Sequence, residues 1–144
     1  MVPDVNILVA ASRSDHPHHQ LARSWLDDAL AACAAGASLK LPPMVVASFL
    51  RLVTHPRIFV TPTPVQEAIG FVDALLSISS VGMPAGGAEW PLLRHLCLEK
   101  QIKSNSIPDA WLAATVMQLG EHLVTFDADF KKLLRRERLT VLAV

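Results

Sequence analysis

The chain has 144 residues, 51% of them apolar, which is long enough for one packed core without disulfide or metal staples and too hydrophobic for disorder. Lysine plus arginine and aspartate plus glutamate number 13 each, so no overall field draws the protein to nucleic acid or anionic lipid, and any nucleic-acid site has to be a local patch. No stretch reaches the roughly 18 apolar residues of a membrane span, the N-terminal run lacks the basic start of a secretory signal, and the isolated Cys33 and Cys97 read as buried hydrophobes of a protein in a reducing cytoplasm.

In chain order, Asp4 stands beside Val2, Val5, Ile7 and Leu8 in an apolar run that reads as a central strand and ends at Ala11. After Asp15 and Pro17, Leu21, Ala22, Trp25, Leu26, Ala29 and Leu30 recur at helical spacing. Ser38–Leu41 reads as a short strand, and Pro42-Pro43 opens a helix over Met44–Val53. Thr63-Pro64-Val65-Gln66 has the form of a capping box, which starts a helix carrying Ala68, Ile69, Val72, Leu75 and Leu76. Ile78–Met83 is the next strand, Gly86-Gly87 a turn, and Glu89–Lys100 a helix with Leu92, Leu93, Leu96 and Cys97 inward. Pro108 and Asp109 open a helix that stops at Gly120. His122–Phe126 is a strand, Asp127–Arg136 a short helix and Leu139–Val144 a last strand. The alternation predicts a single α/β domain over residues 1–144 with a mostly parallel sheet.

In such a sheet the ligand site lies beyond the carboxyl ends of the strands. Asp4, Asp109, Asp127 and Asp129 fall where this rule looks. Converging carboxylates repel, and a bound divalent cation relieves the repulsion, most simply Mg²⁺ because every donor is a hard oxygen. Such a cluster suits phosphodiester cleavage by metal-activated water. Each acid also has a plainer explanation: Asp109 favourably placed at a helix start, Asp127 a cap, Asp129 a first-turn acid. Asp4 is costly to bury unpaired in a central strand, which favours a functional role.

Other features carry less chemistry. His16, His18 and His19 crowd beside Asp15 without a second ligand pair, so a solvated helix start is preferred to a zinc site. Lys131, Lys132, Arg135, Arg136 and Arg138 form a local basic run, with Lys131/Arg135 and Lys132/Arg136 stacked on one helical face, a candidate contact for RNA phosphates. Arg51 and Arg57 are further candidates. No P-loop or dinucleotide fingerprint occurs, so no nucleotide cofactor is implied.

Four pieces of sequence, Asp4-Val5-Asn6-Ile7-Leu8, Phe49–Phe59, Asn105–Ala110 and Thr125–Phe130, resemble in order the PIN-domain ribonuclease toxins of the VapC family. The resemblance implies an α/β/α sandwich around a central, mostly parallel sheet, Mg²⁺- or Mn²⁺-dependent endoribonuclease activity on an RNA substrate, and neutralisation by a VapB-type antitoxin. It implies that Asp4, Asp109 and Asp127 are the catalytic, metal-binding acids, with Asn6, Thr125 and Asp129 in support. Arg51, Lys131, Lys132 and Arg135 remain the candidate RNA contacts. Many PIN domains carry a glutamate before the Phe-Leu-Arg segment, where this chain has Ala47-Ser48, which puts a second metal ion in question. The alternatives are a PIN-like module that grips RNA or a partner without cutting, and a phosphatase of the haloacid dehalogenase type. The latter wants a second aspartate where Asn6 stands. The low charged fraction predicts apolar surface covered in a homodimer.

Overall fold

The computed structural model describes residues 1–144. Five very short strands, β1 (Val2–Pro3), β2 (Leu39–Lys40), β3 (Val81–Gly82), β4 (Leu123–Thr125) and β5 (Leu139–Val141), pair in parallel as two ladders, β1-β4-β5 and β2-β3. The Lys40 amide donates to the Met1 carbonyl at 2.8 Å and joins the ladders, giving the order β3-β2-β1-β4-β5. The chain therefore steps outward from β1 on one side, then returns to the other side of β1 for β4 and β5. The switch point of the sheet lies between β1 and β4.

Six helices flank the sheet: α1 (Val5–Ser12), α2 (His19–Ala34), α3 (Pro43–Val53), α4 (Val65–Leu76), α5 (Trp90–Lys100) and α6 (Ile107–Leu119). Helix α1 packs on α2 and α3, α3 on α4, and α5 on α6. One contiguous cluster of 28 buried residues, centred on Ile7, Leu8, Phe49, Val116, Leu123 and Phe130, fills the space between them. Cys33 and Cys97 are both free thiols, and no helix is long and apolar enough to cross a membrane.

The largest departure from the expected elements is at the start. The first strand is only Val2–Pro3, and Val5–Ser12 is a helix. Ile7 to Ala11 are all buried, and a short run apolar on every side has no periodicity to separate strand from helix. The deciding residue is Asp4, extended at φ −69° and ψ 161°, whose Oδ1 accepts the Val5 amide at 2.7 Å and caps α1.

The expected capping box at Thr63 does not form either. Pro64 occupies the cap position without a side-chain bond, and the Thr63 hydroxyl is taken by Arg13. In α5 only Leu96 is fully buried, with Leu92, Leu93 and Cys97 half-buried. The expected helix over Asp127–Arg136 is two separate 3₁₀ turns, Ala128–Lys132 and Arg136–Arg138, because Phe130 and Leu134 are drawn into the core from a segment too short to hold α geometry. The helical face proposed for the basic run therefore does not exist.

Candidate active site

Parallel pairing of β1 with β4 brings Asp4 and Asp127 to the same edge. Pro3 stands opposite Val124, and the Asp4 amide donates to the Val124 carbonyl at 2.8 Å, so Asp4 leaves β1 beside Thr125, the last residue of β4. The Thr125 side chain is fully buried. Its hydroxyl donates to Asp4 Oδ2 at 2.7 Å and accepts from Asn6 Nδ2 at 3.2 Å and from the Asp127 amide at 3.0 Å. Asn6 Oδ1 in turn accepts the Phe126 amide at 3.4 Å. Asn6 and Thr125 thus lock the ends of β1 and β4 in one orientation, and Asp4 is fixed through both carboxylate oxygens, Oδ2 by Thr125 and Oδ1 by the Val5 amide.

Asp127 caps the 3₁₀ turn that follows β4, its Oδ1 accepting the Asp129 amide at 2.8 Å. Asp109 sits half-buried in the first turn of α6, behind Pro108. Asp4, Asp109 and Asp127 line one cavity of about 660 Å³ at the switch point, together with Asn6, Ser48 and Arg51. Residues Val9, His16, Pro17, Leu52, Ile58 and Phe59 form much of the remaining wall.

The acids feel one another across this cavity. Burial pushes the Asp4 carboxyl above its ordinary value, against the hydrogen bonds from Thr125 and Val5, and the charges of Asp109 and Asp127 push it further. Asp109 is raised by burial first, then by Asp127 and Asp129. No three histidine, cysteine or acidic side chains close into a ligand cage. An open face of two or three carboxylates suits a hard divalent cation that keeps part of its water shell rather than one enclosed by the protein. The donor set is all oxygen, and the mutual repulsion is of the kind a cation removes.

The supporting and RNA-contact candidates divide. Arg51 lines the acid cavity. Asp129 lies outside it, exposed and 3.7 Å from Lys132 Nζ, and acts on Asp109 only through its charge. Lys131, Lys132 and Arg135 line a different groove with His95, Glu99, Lys100 and Arg138, between α5 and the two 3₁₀ turns.

Two features complete the cavity wall. Ser48, named only as the place of a missing carboxylate, does face the cavity. The wall segment Thr54–Pro64, which has no helix or strand beyond its turns, is held by Arg13. That buried guanidinium pairs with Asp15 through Nε and Nη2 at 3.0 and 2.7 Å, and donates to Thr63 Oγ1 at 3.0 Å and to the Thr61 carbonyl at 2.8 Å. It also stacks 3.8 Å from the centre of the Phe59 ring.

Comparison with known proteins agrees with this fold. The PIN-domain family model matches residues 1–135. Ribonuclease VapC31 of Mycobacterium tuberculosis is 42% identical over 133 residues, covering 90% of this chain and 89% of its own length, and ribonuclease VapC25 of the same species is 40% identical over 131 residues with the same coverage. Among solved structures, Mycobacterium tuberculosis VapC20, described as a sarcin-ricin loop cleaving toxin, superposes with a TM-score of 0.65 at 15% identity over 91% of this chain and 92% of its own. The VapBC2 structure from Rickettsia felis, bound to a promoter DNA fragment, superposes with a TM-score of 0.63 at 16% identity over 99% of this chain and 98% of its own.

Proposed function

The chain belongs to the PIN-domain family and, within it, to the VapC toxins, and from that premise we propose that it is a divalent-metal-dependent endoribonuclease whose site is the Asp4, Asp109 and Asp127 cavity. One observation carries this reading: three carboxylates from distant parts of the sequence line a single cavity at the switch point of a parallel sheet. The relatives' names, all ribonucleases, support the reaction class.

Asp4, Asp127 and Asp109 would hold the cation, Mg²⁺ or Mn²⁺. When bound, the ion supplies positive charge against the anionic phosphodiester and acidifies water at the site. The protein's own part is orientation. Asp4 keeps one lone pair free on each oxygen after its bonds to Val5 and Thr125, and Asp127 keeps Oδ2 free after its bond to Asp129. Arg51 on the same wall offers a fixed positive charge to an RNA phosphate that the carboxylates would otherwise repel. A VapB-type antitoxin is the proposed partner, supported by the VapBC2 structural neighbour. A cytoplasmic location follows from an RNA substrate. Exposed Trp90, Leu98 and Trp111 support a homodimer. The test is RNA cleavage by the purified protein in Mg²⁺ and in EDTA: cleavage only in Mg²⁺ is expected, and equal cleavage in both would end the metal-dependent reading.

Two outcomes follow from the electrostatics. A carboxyl whose folded value is raised holds its proton more tightly in the folded state, so its contribution is fully present below the ordinary carboxyl range and is lost as pH rises through the raised value. The metal-free protein should therefore lose stability from Asp4 and Asp109 on passing from about pH 4 towards neutrality. At neutral pH a cation at about 100 times its Kd should raise Tm by roughly 5–10 °C. At pH 4 the rise should be much smaller. Melting curves with Mg²⁺, against Na⁺ of equal ionic strength, measure this, and an equal rise at both pH values would place the bound ion elsewhere.

The second outcome concerns Ser48. Because it faces the cavity, Ser48→Glu should add a carboxylate to the same site and tighten Mn²⁺ binding about tenfold, within the range a single ligand sphere change gives. Calorimetric titration of Mn²⁺ checks this. An unchanged affinity would show that the side chain at 48 does not reach the ion.

A further inference from the structure

The histidines at 16, 18 and 19 do not act together. His19 Nδ1 is bonded to the Ala10 carbonyl at 2.8 Å, and the His18 ring packs on Phe126 with centroids 5.2 Å apart, so both serve the junction of α1, α2 and β4. Of the three only His16 lines the acid cavity, half-buried, on the turn between α1 and α2, where it stands between that cavity and a polar groove along α2. Its Nδ1 accepts the His18 amide at 3.0 Å. That bond needs an unprotonated Nδ1, which puts the ring proton of the neutral imidazole on Nε2. Nε2 has no partner in the protein and is not among buried unsatisfied atoms, so it is open to solvent. Burial first, then the neighbouring His18, hold His16 below its ordinary value, and the ring is neutral at physiological pH.

A metal ligand would present a bare lone pair, and this tautomer presents an N–H instead. Around it the cavity offers mostly acceptors. Asp4, Asp109 and Asp127 are carboxylates, and the amide group of Asn6 is already committed to Thr125 and Phe126. An uncharged donor lining the same cavity matches an anionic oxygen that those carboxylates would repel. We propose that His16 is an RNA-binding residue of this site, donating Nε2–H to a non-bridging phosphate oxygen of the strand lying in the cavity. This inference rests on the nuclease reading given above. His16 fixes the phosphate and transfers no proton.

Two substitutions separate this role from support of the turn. His16→Asn places an amide oxygen near the position of Nδ1, keeping the bond to the His18 amide, and removes the distal N–H. His16→Gln places an N–H near the position of Nε2. The substrate is total bacterial RNA, with the principal Mg²⁺-dependent cut mapped using the unmodified protein and its rate then followed for each variant. His16→Asn should lower kcat/KM at that cut about 10- to 100-fold, the range for a hydrogen bond to a charged group, with the loss chiefly in KM. His16→Gln should recover most of it. A His16→Asn protein as active as the parent overturns the proposal and leaves the nuclease reading standing. So does an equal loss in both variants, with or without a lowered melting temperature, because that outcome assigns the ring to the turn. Absence of any Mg²⁺-dependent cut by the parent protein overturns both.

Discussion

Asp109→Asn should abolish RNA cleavage, lowering its rate by roughly 10³-fold or more, while the protein stays folded. The side chain is half-buried, and no hydrogen bond contributes to holding its charge, so an amide of the same volume fits without leaving a donor or acceptor stranded. What disappears is one of the negative charges that would hold the cation, and metal-ion charge stabilisation in phosphodiester cleavage is worth several kcal/mol. Removal of the repulsion from Asp127 and Asp129 should leave Tm unchanged or slightly higher in the absence of metal. Single-turnover cleavage together with a melting curve measures both. A folded Asp109→Asn protein with full activity would remove Asp109 from the site.

Asp4→Asn is a less clean version of the same experiment. Both Asp4 oxygens accept, one from the Val5 amide and one from the Thr125 hydroxyl, whose own acceptor capacity is used by Asn6 and Asp127. An asparagine amide must turn its NH₂ towards one of these donors. The mismatch costs about 1–3 kcal/mol in a buried position.

The largest effect on stability is expected from Arg13→Met. The substitution keeps much of the aliphatic volume but removes hydrogen bonds to Thr61 and Thr63 and the stack on Phe59. Asp15, left without its partner, is exposed, so no buried charge is stranded and the loss stays below that for breaking a buried ion pair. Two hydrogen bonds from a charged donor and a desolvated cation–π contact amount to about 2–4 kcal/mol. In a protein of this size that lowers Tm by roughly 5–15 °C. Because Arg13 holds the segment carrying Ile58 and Phe59, the wall of the acid cavity should loosen as well. Hydrogen exchange of the Thr54–Pro64 amides should then accelerate more than exchange in α6. Uniform acceleration would mean that Arg13 supports the whole fold equally and not this wall.

The parts of the fold visible in the sequence are those where one face of a helix is solvated. Helices α2 and α4 bury one set of residues and expose another, whereas α6, buried at every position from Leu112 to Val116, is marked by its ends: Pro108 opens it and Gly120, at φ +66°, supplies a left-handed stop that only a residue without Cβ adopts freely. Where burial is complete the pattern is silent, which is why Val5–Ser12 reads as a strand. The error matters for the site, since it makes Asp4 an interruption of a strand when it is the cap that turns β1 into α1. Asp127 and Asp109 were visible because one follows a strand and the other opens a helix, and Asp4 because a carboxylate inside an apolar run is costly to bury unpaired. The rest of the cavity wall was not. His16, Ile58 and Phe59 follow no strand, and nothing local in the sequence shows that Arg13 reaches across 50 residues to Thr63.

If Asp4, Asp109 and Asp127 share one divalent cation, paramagnetic broadening in the metal-free protein shows it as Mn²⁺ is added. The first amide signals to disappear should be those of Asp4 to Asn6, Asp109 to Ala110 and Thr125 to Asp127, three stretches far apart in sequence. In Asp109→Asn the same signals should need a much higher Mn²⁺ concentration. Broadening that begins at exposed acids on α4, such as Glu67 and Asp73, and leaves Asp4 and Asp127 unaffected would contradict it.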